Sequence, residues 1–352
     1  MPASGLGLTG ETYKDNMILS FVHERLLSKN IADQIHTALP ELKVFYGVGQ
    51  EGFNQSKVLA SGRMKEISTG SSLDVEVEYL ENDTVGAYSR YGSIQTTPQE
   101  GFTRAFVDWK QYAASTTIDG FSERVNGSGE ESLFRILQSK TNQTLKSFKK
   151  TIAVDLWKQN NSVVADSLIV NGIPYYVGTT PTTGTCAGLD RSDAGNAFWR
   201  NRYNGASQAV TETAPSFAQR GVEDLFDMML EASPGEGEGV DVFFCSETVM
   251  GYIFKRMSNA IVYTQTDNAD VMFGSIKIHG RPVIFTKHCP AGRVYGLTTD
   301  TWWVGVHPDA NFTPRSFQTP WNQDARTALT LLQTNFVCEN PRWNFVYSGI
   351  VA

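Results

Sequence analysis

The chain has 352 residues, of which 41% are hydrophobic and 19% charged, and its formal net charge is −7. This length allows two modest domains, and the composition excludes disordered and fibrous proteins. The excess of acidic residues disfavours binding of nucleic acid through a broad basic patch, because phosphate neutralisation needs clustered lysine and arginine. It is still compatible with a protein that merely encloses DNA.

The sequence gives no indication of a membrane or secretory destination. No apolar run approaches the roughly 20 residues that span a bilayer, and the first residues lack the pattern of a signal peptide. The four cysteines stand far apart, which is typical of reduced thiols and not of a disulfide framework or zinc site. We therefore expect a protein that stays in the cytosol, with no membrane partner.

The first patterned segment covers residues 12–39. Apolar residues such as Leu19, Val22 and Leu26 recur at roughly helical spacing, and Pro40 follows as a stop signal. The pattern predicts an amphipathic helix. An arm that lies on another surface and an ordinary core helix fit it equally well.

Residues 57–120 predict a long β-hairpin. The segments 73–79 and 103–110 alternate apolar and polar residues, and the second alternation continues through Tyr112. The stretch between them has turn-like and irregular sequence. Because a two-stranded hairpin cannot bury both of its faces, we expect it to lie on another surface, which is a first indication of assembly.

The clearest helix signal begins at Ser128, which forms a capping box with Glu131. The apolar residues that follow share one face: Leu133, Leu137, Leu145, Phe148, Ile152 and Leu156, with Thr141 in the gap. These signals predict a helix of about 29 residues, which would be about 43 Å long. A helix of that length would act as a strut.

The rest of the chain mixes helices and strands, so the predicted fold class is α+β. After a threonine-rich loop at 178–188, the predicted elements are a helix over 218–231, a buried strand over 240–245, a helix over 247–259, a strand–turn–strand over 275–286, a strand over 300–306 and two closing strands over 326–338 and 343–351.

No constellation for catalysis or metal binding emerges. Gly5, Gly7 and Gly10 match a dinucleotide fingerprint, but no strand precedes them as that chemistry requires. His288 and Cys289 are neighbours, and adjacent residues on a strand point to opposite faces, so they cannot act as base and nucleophile there. We expect no catalytic residue, no metal and no cofactor, and therefore no enzyme.

Arginines and aromatic residues cluster at 191–203, with Arg191, Trp199 and Arg200 among them. Arginine interleaved with aromatic rings could stack on bases. The alternative is an anchor in an interface or in the interior, because these residue types dominate buried contacts. With a negative net charge and no wider basic stripe, the pattern favours the anchor.

Several motifs resemble the major capsid protein of tailed bacteriophages, a fold shared with encapsulins and the herpesvirus capsid floor. They are Thr-Thr-Pro-Gln-Glu-Gly at 96–101 with Phe-Val-Asp-Trp-Lys-Gln at 106–111, Gly-Leu-Asp-Arg-Ser at 188–192 with Phe-Trp-Arg-Asn at 198–201, and Asn-Pro-Arg at 340–342. The resemblance implies an N-terminal arm (1–56), an extended β-hairpin loop (57–120), a peripheral domain (121–217) with a spine helix (129–159), an axial domain (218–325) and closing strands of the peripheral domain (326–352).

The resemblance also implies a function. The chain would self-assemble as pentamers and hexamers into an icosahedral head that encloses double-stranded DNA without sequence-specific binding. Only a short arm precedes the loop, so we expect a separate scaffolding protein, together with a portal and a decoration protein. The expected location is the virion capsid, assembled in the host cytoplasm.

The expected assembly contacts are spread over the loop, the segment after the spine helix and the final turn: Tyr79, Arg90, Glu100, Trp109, Lys110, Arg191, Trp199, Arg200 and Arg342. Some capsids of this family crosslink their subunits through a loop lysine. Lys65 lies near the loop, but its sequence context does not indicate that it reacts. An encapsulin-like compartment shell and a phage tail or baseplate protein remain alternatives.

Overall fold

The computed structural model describes residues 40–46, 64–121 apart from Gln95 and Gln99, 130–158, 168–205, 217–235, 239–258 and 276–350. The predicted helix over 12–39 and the capping residue Ser128 lie outside the described residues. Pro40, predicted as a stop signal, is the first residue of a helix, Pro40–Tyr46 (α1), where its fixed φ suits the first turn.

The two-stranded loop has the predicted pairing. Strands Ser72–Glu78 (β2) and Phe102–Asp108 (β3) are antiparallel, with Leu73 opposite Val107. Met64–Glu66 (β1) precedes them. The alternation continues through Tyr112 as predicted. The pairing with β2 nevertheless ends at Asp108, and after Trp109 the chain enters another sheet as Lys110–Asp119 (β4).

The longest helix, Glu130–Asp155 (α2), has 26 residues, which corresponds to about 39 Å. It ends four residues before the predicted end. Leu145, Phe148 and Ile152 are buried, and so is Thr141, so the predicted apolar face is confirmed where its side chains are described. This face packs on β4.

The sheet beneath α2 has the strand order β1–β12–β13–β4, where Trp302–Pro314 (β12) and Ala325–Cys338 (β13) are its long central strands. β12 extends well beyond the predicted 300–306. Its pairing with β13 shifts register between Val306 and Thr313, around Phe312 with φ of 51°. Phe45 of α1 packs against Trp302 and Phe336 of this sheet at 5.5 Å between ring centroids.

A second sheet has six strands in the order β7–β14–β11–β8–β10–β9. The strands are Arg202–Gly205 (β7), Val242–Cys245 (β8), Lys277–Ile278 (β9), Arg281–Phe285 (β10), Val294–Leu297 (β11) and Phe345–Ser348 (β14). The remaining elements are the helices Ile173–Tyr176 (α3), Phe217–Ala232 (α4) and Glu247–Ser258 (α5) and the short strands Thr185–Cys186 (β5) and Leu189–Asp190 (β6).

Both faces of the six-stranded sheet are covered, which explains the unbroken apolar run of β8. Val242 and Phe244 point into the core shared with α2, where the Trp157 ring lies 5.8 Å from Phe244. Phe243 and Cys245 point into a second core formed with α4 and α5. Trp157, which lies just past the end of α2, therefore helps to join the four-stranded sheet to the six-stranded sheet.

The strand pairing does not follow the predicted domain boundaries. The two closing strands do not pair with each other: β13 lies in the four-stranded sheet and β14 in the six-stranded sheet. The turn Pro341–Trp343 carries the chain from one sheet to the other. Likewise β12, inside the range predicted for an axial domain, lies between β1 and β13 in the four-stranded sheet. The division into arm, loop, peripheral and axial domains itself stays a prediction.

Candidate assembly surface

The part of the extended loop beyond the paired strands, residues 79–101, exposes an unusual amount of apolar surface. Val85 is 84% exposed, Tyr88 69%, Tyr91 92% and Ile94 64%. The described residues of this segment form neither helix nor strand. A monomer in water rarely leaves such a group of side chains uncovered, which indicates a surface that contacts another molecule.

The base of the loop is fixed to the body of the subunit. The Tyr79 ring stacks on Phe198 at 5.1 Å between centroids, and the Tyr79 backbone N–H donates to the Gly101 carbonyl at 2.9 Å. The Phe106 N–H donates to the Ala187 carbonyl at 2.9 Å. The exposed part of the loop is therefore held out from an anchored base.

Arg191 and Trp199 lie in the interior of the subunit. Arg191 is fully buried, and its Nη2 donates to the Tyr176 carbonyl at 2.6 Å. Trp199 is 1% exposed, and its Nε1 donates to the Cys186 carbonyl at 3.1 Å. The contacts described for these two side chains lie inside the subunit, and a role in assembly stays a prediction. Of the two interpretations of this cluster, burial supports the interior anchor.

The other predicted contact residues lie at or near the surface. Arg90 and Glu100 are exposed on the loop. Trp109 is half-buried at the break between β3 and β4, where its Nε1 donates to the Gly70 carbonyl at 3.1 Å. Lys110 is half-buried at the start of β4. Their role in assembly stays a prediction.

Lys65 is engaged within its own subunit. Its Nζ lies 3.0 Å from the Glu339 carboxylate and 4.3 Å from the centroid of the Trp303 ring. The ion pair ties the edge strand β1 to the end of β13. Because half of the Lys65 side chain is exposed, screening by water keeps this ion pair weak.

A cavity of about 730 Å³, named here the arginine groove, brings together two of the predicted residues. It is lined by the threonine-rich loop 179–183, by Phe198, Arg200, Arg202 and Tyr203, and by Glu231 and Arg342. Arg200 and Arg342 are 142 positions apart in the sequence. No local pattern could have predicted that they line one cavity.

The cysteine and histidine side chains that were considered as candidates for catalysis have structural roles. Burial raises the pKa of the Cys245 thiol to about 12, and it also raises the pKa of the Cys289 thiol. His288 Nδ1 lies 3.2 Å from Glu41 Oε1, while the Cys289 Sγ contacts backbone carbonyls. Within the described ranges, no three histidine, cysteine or carboxylate side chains are grouped as metal ligands. In the same part of the chain, no helix has the length and apolar character to cross a membrane.

No family model and no curated protein matches the sequence. Solved capsid structures match the fold of the chain. A chain of the cyanophage A-1(L) capsid asymmetric unit matches with a TM-score of 0.59 at 14% identity, covering 89% of this chain and 98% of that one. The capsid of the native GTA particle matches with a TM-score of 0.54 at 13% identity, covering 82% and 88%. The capsid of the empty GTA particle gives 0.51 at 12% identity, covering 82% and 94%.

These matches show that the fold of the chain is one found in the subunits of virus-like protein shells. More particularly, the chain has the tailed-phage major capsid fold, and the predicted α+β fold class is confirmed. At identities of 12–14% the matches show the fold and nothing beyond it.

Proposed function

We propose that the chain is a subunit of a closed protein shell and, more narrowly, the major capsid protein of a tailed phage. In this role it self-assembles into the icosahedral head that encloses the double-stranded DNA genome. The observation that carries the proposal is the exposed apolar loop 79–101, held on an anchored base in a chain with the capsid fold.

Assembly would proceed through heterologous contacts that close into pentamers and hexamers. The loop of one subunit would lie over the next and bury its apolar side chains there. Each fully buried side chain contributes about 1.5–3 kcal/mol, part of which offsets the ordering of the loop. Every contact can stay weak, because each subunit makes several at once.

The proposed role requires no catalysis and no cofactor. The net charge of −7 suits an inner surface that encloses DNA without sequence-specific binding. The proposed partners are copies of the same chain, a separate scaffolding protein, a portal and a decoration protein. The proposed location is the virion capsid, assembled in the host cytoplasm.

Electron microscopy of the purified protein tests the proposal. Closed icosahedral particles support a shell, tubes or rings indicate a tail component, and a small oligomer under all conditions contradicts the shell. Particles from infected cells that protect double-stranded DNA from nuclease support a phage head. Particles that hold only protein cargo indicate an encapsulin-like compartment instead.

A loop deletion tests the role of residues 80–100. Tyr79 and Gly101 are already joined by a backbone hydrogen bond, so a two-residue Asn-Gly turn can close the gap. We expect a folded subunit that no longer assembles. The variant Tyr88→Ser with Tyr91→Ser is the matched control for loop length, and we expect it to weaken assembly without changing the length. Normal particles from the deletion would refute the role of the loop.

A further inference from the structure

The exposed face of α2 carries positive charge and no carboxylate. Beyond Lys140, its exposed side chains, named here the lysine face, are Gln143, Lys146, Ser147, Lys150 and Thr151. Lys146 and Lys150 make no ion pair with any described residue. The nearest carboxylate in the sequence, Asp155, is buried, and Lys158 Nζ already lies 2.8 Å from its Oδ1. Protein surfaces usually mix both signs of charge, so this face is unusual on a chain with a net charge of −7.

The charges of the lysine face do not stabilise the helix that carries them. Lys150 lies four positions after Lys146 and Lys149 lies three positions after it, so charges of like sign are neighbours and repel. Burial, together with the positive charge of Lys146, lowers the pKa of Lys149. The helix dipole does not explain these lysines, because its effect is confined to the last turn, where α2 has no basic residue. Charges that destabilise the subunit indicate a partner outside it.

A groove beside the lysine face offers neutral donors to the same partner. It has a volume of about 370 Å³ and lies between α2 and β4. Gln143 and Ser147 line it from the helix and Ser115 lines it from the strand, and no charged residue is part of this lining. The Thr151 hydroxyl is used within the helix, where it donates to the Ser147 carbonyl at 3.0 Å. Lysine, serine and glutamine side chains are among the groups that contact phosphate oxygens in protein–DNA complexes.

Resting on the proposed shell function, we propose that the lysine face binds the phosphate backbone of the enclosed double-stranded DNA. Lys146 and Lys150 stand about 6 Å apart along the helix axis, and phosphates follow one another about every 3.4 Å along each strand, so both lysines of one subunit can reach phosphates of the same strand. Phosphate contacts carry no sequence information, so the binding is independent of sequence. Each contact is weak on an acidic subunit, and the many subunits of a shell act together.

An acidic segment of another protein is the competing occupant of the lysine face. Interfaces between proteins are centred on aromatic or apolar anchors that become fully buried. None of the five exposed side chains of the lysine face is apolar. A polyanion whose charges repeat at short, regular intervals therefore fits this face better.

Salt-dependent DNA binding tests the proposal. Unassembled full-length subunits are titrated against two short duplexes of unrelated sequence, with fluorescence anisotropy as the readout. We expect equal affinity for both duplexes and an affinity that falls as salt rises. Lys146→Gln with Lys150→Gln should lower the affinity at low salt by at least about tenfold and the slope of log affinity against log salt by about 2, since each phosphate contact contributes about 0.9. Lys287→Gln with Arg315→Gln removes two exposed charges elsewhere and should leave affinity and slope unchanged.

Three results would overturn the proposal: no binding by the wild type, equal slopes for the wild type and the Lys146→Gln, Lys150→Gln variant, or tighter binding of a polyglutamate peptide than of a duplex of equal charge. Lys146→Arg with Lys150→Arg keeps both charges and should bind as the wild type does, which separates loss of charge from loss of fold. The urea midpoint of the glutamine variant should equal or exceed that of the wild type, because repulsion between like charges is relieved; a lower midpoint contradicts the claim that these charges destabilise the subunit. Failure of the wild type to form particles refutes the proposed function, and electron microscopy detects it independently of this titration.

Discussion

Asn344 provides a quantitative test of the packing that joins the two sheets. Its side chain is fully buried between the end of β13 and the start of β14. The Oδ1 atom accepts from the Thr298 N–H and from Trp302 Nε1, both at 3.0 Å. The Nδ2 atom donates to the Asn340 carbonyl at 2.8 Å and to the Thr301 hydroxyl at 3.2 Å. One side chain therefore satisfies polar groups from both sheets.

Asn344→Leu keeps the approximate shape of the side chain and removes these four hydrogen bonds, together with the 3.7 Å contact from Nδ2 to Cys338 Sγ. The Thr298 N–H, the Trp302 Nε1–H and the Asn340 carbonyl then lose partners that they have in a buried site. Each unsatisfied group costs about 1–3 kcal/mol. Allowing for partial relaxation, we expect the free energy of unfolding to fall by about 4 kcal/mol.

The assay is urea unfolding of the loop-deleted subunit, which we expect to stay unassembled. The midpoint should fall while the slope with urea stays constant. Asn322→Leu makes the same chemical change at an exposed position and should alter stability by less than about 0.5 kcal/mol. A loss below about 1 kcal/mol for Asn344→Leu would refute the reasoning, because the polar groups would then have other partners.

Three further substitutions test separate parts of the structure. Tyr79→Ala removes the aromatic stack at the loop base, which is worth about 0.5–1.5 kcal/mol, and should lower the particle yield. Tyr79→Phe keeps the ring and is the control. An equal loss of yield from both variants would count against the stack. Burial raises the pKa of Glu41 above its unfolded value, so the stability that this carboxyl contributes is present below the unfolded pKa and is lost as pH rises through the folded pKa. The difference in unfolding free energy between Glu41→Gln and wild type should therefore grow in favour of Gln as the pH rises above the unfolded pKa of the carboxyl. A difference independent of pH would contradict this. Gly172→Ala would drive a Cβ into the Leu156 carbonyl oxygen and should lower the free energy of unfolding by about 1–3 kcal/mol. Gly251→Ala, with open space around it, should be neutral or stabilising in thermal unfolding. Similar melting temperatures for the two variants would disprove the overlap.

Local periodicity predicted most of the elements that have one solvated face. The alternation in 73–79 and 103–108 predicted β2 and β3, because one face of each strand is buried and the other is wet. The break at Trp109 could not be predicted in this way, since the alternation continues across it. The new partner of the chain there, β13, lies more than 200 positions away in the sequence.

Long-range placement was the part that the sequence did not predict. The pattern around Arg191 left open whether it anchors an interface or the interior, and only the fold shows that its guanidinium contacts the backbone carbonyl of Tyr176 and the side chain of Asn201. The arginine groove depends on the turn Pro341–Trp343 lying next to the segment 194–199. Such proximity is a property of the topology and leaves no trace in local spacing.

Cryo-electron microscopy of particles assembled from the purified wild-type chain tests the central claim most directly. We expect closed icosahedral shells in which residues 79–101 of each subunit lie on a neighbouring copy, with Val85, Tyr88 and Tyr91 buried there. Shells whose loops point into solvent, or a chain that forms only a small oligomer under every condition, would contradict the account.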